Sequence, residues 1–149
     1  MRSFFRYFPS KEDVVFGGVE SMADDVAAAV RAAPADRPAW DCLHEVLRQW
    51  QRDLHDSRRR LAELTLIEST PSLRARLHHK RESMRAQVAE ALAARPGSGL
   101  DAFTADVLTA AAAAALDAAA RAWLRSEGTA DQDELVDRAF AVLRPPGIR

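Results

Sequence analysis

Apolar side chains recur at alternating steps of three and four residues along most of the chain, the spacing that places them on one face of an α-helix. The first such row of apolar positions, or stripe, predicts a helix that begins at Lys11 and ends before Pro34, because proline lacks an N–H and breaks a helix interior. The second stripe begins at Trp40 and is lost across the polar residues 55–60, where we expect a helix boundary or a kink. The apolar positions of the two stripes are Val15, Val19, Met22, Val26 and Val30, followed by Trp40, Leu43, Leu47, Trp50 and Leu54.

The next two predicted helices are separated by a proline. One ends near Ser69, because the residue that precedes Pro71 is pushed out of the helical region. The other runs as far as the Pro96–Gly99 loop, where glycine supplies positive φ and proline lacks a donor. The apolar positions that define these helices are Leu61, Leu64 and Ile67, then Leu73, Leu77, Met84, Val88 and Leu92.

Residues 100–126 and 131–143 form the last two predicted helices, which brings the number after the first nine residues to six. Asp101 near the start of the longer helix suits an N-terminus, and Gly128 beyond its end suits a C-cap. Alanines fill residues 110–115 and 118–120 of this helix. They would let another helix approach closely, although helix propensity alone explains about half of these positions.

Composition supports the same class. The chain has 149 residues, of which 48% are hydrophobic and 29% charged, which fits one globular unit. Abundant alanine favours helix over sheet. The single cysteine, Cys42, excludes an internal disulfide framework and suits a reducing compartment. We expect a cytoplasmic protein without a membrane-spanning segment, because the start has no signal-peptide pattern and the longest apolar run, residues 110–116, is too short.

The charge balance and the motifs argue against two function classes. A net charge of −1 and a pI near 6.4 exclude the overall basic field of a stand-alone nucleic-acid binder. His78 and His79 are adjacent, so on a helix they point about 100° apart and cannot hold one metal together. No zinc-protease, nucleophile-elbow or phosphate-loop motif is present in the sequence. We therefore expect neither an enzyme nor a cofactor or metal.

One continuous segment carries a family resemblance. Residues 3–15 read SFFRYFPSKEDVV, which resembles the exit of the recognition helix in TetR-family regulators, where the pattern is T-hydrophobic-aromatic-x-Y-F-x-S-K-E-x-hydrophobic. The resemblance implies an all-α, TetR-type C-terminal helical bundle preceded by a remnant of the recognition helix. Residues 1–9 would be the remnant of the helix-turn-helix head, and residues 10–149 the ligand-binding and dimerisation domain.

The resemblance also implies DNA-contacting residues. Arg2, Ser3 and Arg6 would face bases or nearby phosphates, Tyr7 would donate its hydroxyl to the DNA backbone, and Lys11 would bind a phosphate. The two helices that precede the recognition helix in the family, together with its first residues, are missing before Met1. We expect either that a true start codon lies upstream, which we favour, or that the regulator is truncated.

The remainder resembles the effector domain of the same family, in particular the type found in regulators of acyl-CoA-like ligands and of the mycofactocin system. The resemblance rests on residues 58–71, 73–76, 89–95 and 123–124. It implies a pocket among the central helices, with apolar walls and polar edges. The candidate pocket residues are Trp40, Leu43, Trp50, Leu64, Ile67, Met84 and Phe103, with His44 and Arg81 at the edges.

Two further features leave alternatives open. Basic residues at 58–60, 74, 76, 80 and 81 could receive the phosphates of a coenzyme A group, or could simply form a solvated face. Residues 100–144 are expected to supply a four-helix homodimer interface. The protein would then be a DNA-binding regulator, which we expect to be a repressor, or a DNA-incompetent partner that titrates a full-length relative.

Overall fold

Every regular element that the structure describes is a helix. The computed structural model describes residues 23–54 and 57–144, with only the backbone of residues 57, 58 and 60. Within these ranges it contains no strand, and the expected all-α fold is confirmed. The six helical segments are α1 (residues 23–32), α2 (Ala39–Asp53), α3 (Ser57–Ser69), α4 (Pro71–Ala94), α5 (Ala102–Arg125) and α6 (Gln132–Val142). The predicted helix start at Lys11 and the predicted head remnant, residues 1–9, lie outside the described residues.

The helix boundaries follow the prolines and the capping residues. Thr70 has the extended backbone expected before a proline, with φ −124° and ψ 106°. Pro71 then begins α4, because the first residue of a helix needs no N–H. Asp101 accepts a hydrogen bond from the Thr104 N–H at 2.7 Å and so caps the N-terminus of α5. Gly128, with φ +80°, follows the end of α5 and donates its N–H to a carbonyl of the last turn, as predicted.

The helix boundary predicted within residues 55–60 is confirmed, because α2 ends at Asp53 and α3 begins at Ser57. Arginine is a good helix former, and the Arg59 guanidinium donates to the Glu63 carboxylate one turn later at 3.0 Å. The arginine-rich stretch therefore belongs to the first turn of α3, where the Arg59 side chain is exposed.

Helix α5 is the centre of the bundle. It packs against α4 and α6 along most of its length, and against α2 and α3 over shorter stretches. Ala112, Ala115 and Ala119 are buried, which lets the neighbouring helices approach closely, whereas Ala114 and Ala118 are exposed. Both explanations of the alanine run therefore hold, each for a different face of the helix.

Two buried side chains tie distant parts of the chain together. The Trp40 indole N–H donates to the Phe140 carbonyl at 3.1 Å, and the two rings pack with their centroids 4.9 Å apart. The Arg95 guanidinium, 4% exposed, donates to the carbonyls of Pro34, Ala35 and Arg37. Arg95 thereby holds the loop between α1 and α2 against the end of α4.

The length and composition of α5 alone would also suffice to cross a bilayer. The uninterrupted apolar run is shorter than a bilayer, but the whole helix has 24 residues and few charges. The central helix of a soluble bundle has the same properties. In this structure α5 packs against four other helices.

Candidate functional site

A small, partly open apolar chamber lies where α2, α4 and α5 meet. Its volume is about 80 Å³. Leu47 and Trp50 lie one turn apart on α2, Met84 and Val88 one turn apart on α4, so each helix presents one face to the chamber. The lining residues are Leu47, Trp50, Arg81, Met84, Arg85, Val88, Thr109, Ala113, Leu116 and Asp117.

The polar atoms deep in this chamber differ in how well they are satisfied. The Thr109 hydroxyl donates to the Ala105 carbonyl one turn earlier at 2.8 Å. The Trp50 indole nitrogen is buried and has no hydrogen-bond partner among the described residues. Buried donors in proteins are nearly always paired with protein or water. Trp50 lines both this chamber and a separate pocket beside α1, and its N–H is a buried donor that a bound molecule or a water could satisfy.

A wider trough continues from the chamber along the outer side of α4 and α5. Its volume is about 560 Å³, and it is open to solvent. The α5 wall consists of small side chains, whereas the α4 wall carries cationic groups at steps of four and three residues. The lining residues are Ile67, Glu68, Arg74, Leu77, His78, Arg81, Glu82, Arg85, Ala110, Ala113, Ala114 and Asp117.

An ion pair stands between the chamber and the trough. Arg81 and Asp117 line both spaces, and the Arg81 Nη1 donates to the Asp117 Oδ1 at 2.9 Å. The second oxygen of the same carboxylate accepts from Arg121. Asp117 thus links α4 to α5 through Arg81 while a second arginine of its own helix also holds it.

Arg85 lies one turn beyond Arg81 and is also paired. It donates to the Glu82 carboxylate at 2.9 Å and to Asp106 at 2.5 Å. The hydrogen bond from Arg85 holds the pKa of the Glu82 carboxyl below its usual value. Farther out, Arg74 and Glu68 both line the trough, and His78 interacts electrostatically with Glu82. The outer trough therefore combines the cationic Arg74 with carboxylates of its own.

The structure brings together only some of the predicted pocket residues. Trp50, Arg81 and Met84 line the chamber, and Ile67 lines the trough with Arg81. Trp40 and Leu43 are fully buried in the main core.

The other predicted pocket residues lie away from both spaces. Leu64 is buried and lines neither. Phe103 is 76% exposed at the start of α5. His44 lies over a shallow polar depression on another side of the molecule, where its Nε2 is 2.7 Å from the Asp137 carboxylate and its ring stacks on Phe140. Its interactions connect α2 to α6.

Sequence reasoning missed several residues of the site. Leu47 belongs to the same predicted stripe as Trp50, and Val88 to the same stripe as Met84, so helical spacing could have included them. The sequence also offered a signal for Asp117. It is a carboxylate within the alanine run of α5, and a charged side chain on an apolar helix face is paired when it is buried. The pairing of Asp117 with Arg81 could not be read from the chain, since it depends on the register between α4 and α5.

The predicted DNA contacts lie outside the described residues. They are Arg2, Ser3, Arg6, Tyr7 and Lys11.

Comparison with known proteins identifies the family. Residues 24–146, which include all five complete helices from α2 to α6, match the family described as the MftR C-terminal domain. The chain belongs to the TetR family of transcriptional regulators. A curated relative, the HTH-type transcriptional regulator TcmR of Streptomyces glaucescens, is 31% identical over 107 residues, which cover 67% of this chain and 47% of the relative. The chain thus spans about half the length of the curated relative that it matches.

Membership in this family bears on the expected function class. The proteins that match are regulators, which argues against an enzyme. Within the described residues no group of three or more His, Cys, Asp or Glu side chains is arranged to hold a metal ion.

Proposed function

We propose that this chain is the effector-binding and dimerisation part of a TetR-type repressor that responds to a small apolar or acyl-CoA-like effector. The observation that supports the proposal is the apolar chamber between α2, α4 and α5, which opens into a trough with cationic groups. Ligand sites commonly combine apolar walls with a few polar groups that orient the ligand.

The two spaces suit the two parts of an acyl-CoA-like molecule. The chamber would receive the apolar part, and the phosphates would lie in the trough near Arg74 and His78. The chamber volume of about 80 Å³ is well below the roughly 300 Å³ or more that is usual for small-molecule sites. A long acyl chain would therefore have to displace wall side chains. Met84 is suited to this, because a methionine has three rotatable bonds and fills irregular spaces.

Blocking the chamber tests this part of the proposal. Ala113 lines both the chamber and the trough, so A113L should fill the passage between them and abolish effector binding. Ala86 is exposed on α4 and lines neither space, so A86L is the matched control and should bind normally. The measurement is the increase in melting temperature with acyl-CoAs of increasing chain length. Equal shifts for A113L and wild type would place the effector elsewhere and contradict this site.

The proposed homodimer would use α5 and α6. Phe103 and Val107 lie one turn apart on α5 and are 76% and 49% exposed, and Val142 at the end of α6 is 83% exposed. Large apolar side chains at such exposure are typical of surfaces that become covered in an assembly. Light scattering should give twice the chain mass at micromolar concentration, and F103E together with V142E should reduce it to the monomer. A monomeric wild-type chain would refute the dimer.

DNA binding is proposed through a complete helix-turn-helix head, with Arg2, Ser3, Arg6, Tyr7 and Lys11 as the contacts of the segment present here. A mobility-shift assay with DNA from the neighbourhood of the coding gene tests it, using this chain and a product extended upstream of Met1. Operator binding by the extended product, released by effector, would support a repressor. If instead this chain binds no DNA and abolishes binding by a full-length relative on mixing, the alternative of a titrating partner is the correct one.

A further inference from the structure

The ion pair at the chamber mouth indicates what chemistry the effector presents there. We propose that the site recognises a carboxylate, which takes the place of Asp117 on Arg81 while a short apolar tail enters the chamber. This inference rests on the proposed effector site and adds the chemical class of the ligand. It would also make Arg81 the residue that selects anionic over neutral ligands.

The first argument is that the site already binds a carboxylate, that of Asp117. The Arg81 Nη1 lies 2.9 Å from the Asp117 Oδ1, at the point where the chamber and the trough meet. The planar guanidinium matches the two oxygens of a carboxylate, so the arrangement that accepts Asp117 also suits a carboxylate that arrives from the trough. The side chains of the pair are 36% and 41% exposed, so a ligand can reach them without prior unfolding.

The second argument is that Asp117 has another cation to hold it. Its Oδ2 accepts from Arg121, which lies one turn after Asp117 on α5 and lines neither space. When a ligand occupies Arg81, Asp117 keeps this partner, and no carboxylate is left unpaired. The exchange therefore replaces one partly exposed ion pair of Arg81 by another.

The third argument concerns size. A chamber of about 80 Å³ holds roughly two or three groups of water size. The tail next to the carboxylate is therefore short, about three carbons, unless the walls move. Leu47, Met84, Val88 and Leu116 supply the apolar walls for such a tail.

The exchange has a consequence for regulation. The bond between Arg81 and Asp117 joins α4 to α5, and α5 is the helix that packs against four others. A ligand that breaks this bond removes a link between the effector site and the central helix. A ligand without a negative charge would fill the chamber but leave the link in place.

Butanoate, butanol and butylammonium test the proposal, because they share one tail and differ in the head group. Each is titrated at millimolar concentration and constant ionic strength into the 149-residue chain, and the indole N–H resonances are followed by NMR. Trp50 lines the chamber, and its resonance is identified as the signal that W50F removes. We expect butanoate to bind most tightly and butylammonium not to bind.

Two variants with opposite expected signs separate recognition from a structural effect. R81Q should weaken butanoate binding about tenfold, because it removes a charge-assisted hydrogen bond at a partly exposed site. D117N keeps the shape but removes the competing charge, so it should tighten butanoate binding about threefold. R59Q makes the same charge change on α3 at a residue that lines neither space, and it should leave the affinity unchanged.

The outcomes distinguish this inference from the proposed function. Equal affinity for butanoate and butanol would overturn the proposal that the site recognises a carboxylate. The same proposal fails if D117N binds butanoate more weakly than the wild type does while melting at the same temperature. If acyl-CoAs bind in the chamber without any dependence on Arg81, the effector site stands and only the carboxylate is lost. If neither the butyl compounds nor the acyl-CoAs change the Trp50 resonance, the carboxylate and the effector site both fail.

Discussion

Trp40 offers a sharp test of how the last helix is held to the bundle. Its indole N–H donates to the Phe140 carbonyl across 100 residues of sequence, and the side chain has no exposed surface. Phe140 lies in the last turn of α6, where carbonyls have no partner within the helix. We expect W40F to leave this carbonyl buried and unpaired.

The magnitude follows from two contributions. An unpaired buried carbonyl costs about 1–3 kcal/mol. The smaller ring adds a cavity contribution of about 1–2 kcal/mol. The free energy of unfolding should therefore fall by about 2–5 kcal/mol in W40F, which is a large part of the stability of a small domain.

Trp123 provides the matched control. It is 2% exposed, and its indole has no hydrogen bond recorded among the described residues, so W123F should lose only the cavity contribution, about 1–2 kcal/mol. Urea unfolding followed by far-UV circular dichroism, at one protein concentration, measures both variants. Equal losses for W40F and W123F would show that the indole hydrogen bond contributes nothing, and the account of α6 docking would be wrong.

Three further predictions concern single residues. G128A should destabilise the chain by more than about 1 kcal/mol, because φ is +80° and an added Cβ would lie 3.3 Å from a Leu61 methyl carbon. G99A is the control, since Gly99 also has positive φ but has open space around it. In the same urea experiment G99A should lower the free energy of unfolding by less than G128A does. Cys42 should not react with a thiol reagent at neutral pH until the chain is unfolded, because burial blocks access to the thiol and raises its pKa. Fast reaction of the native chain would contradict the packing of α2. The hydrogen bonds from Thr104 lower the pKa of the Asp101 carboxyl below 3.8. The contribution of Asp101 to stability should therefore be present above that pH and lost as the pH falls through the lowered pKa. In acid titration by circular dichroism, D101N should remove this pH dependence, and an unchanged profile would refute the cap.

The helical elements could be predicted from local chemistry. The apolar spacing, the prolines and the cap residues predicted every helix that the structure describes, because each signal acts within one or two turns of the chain. The loss of apolar spacing after Leu54 also located the boundary between α2 and α3. The arginines that follow already belong to α3, because arginine forms helices well.

The candidate site was only partly predictable. Trp50, Arg81 and Met84 line the chamber, whereas Trp40 and Leu43, which have the same kind of spacing, are in the core. A stripe at helical spacing shows which face of a helix is buried, but not whether it meets another side chain or a cavity.

Taken alone, the sequence determined the helical class, the order of the helices, their caps and the family resemblance, because these depend on neighbouring residues. Only the tertiary structure decided which partners meet across the bundle. Two of these contacts join residues that are 36 and 100 positions apart, the Arg81–Asp117 ion pair and the Trp40–Phe140 hydrogen bond. A third is the loop whose three carbonyls surround the Arg95 guanidinium. Such contacts depend on how helices are rotated and shifted against one another, and the periodicity of a single helix carries no information about that register.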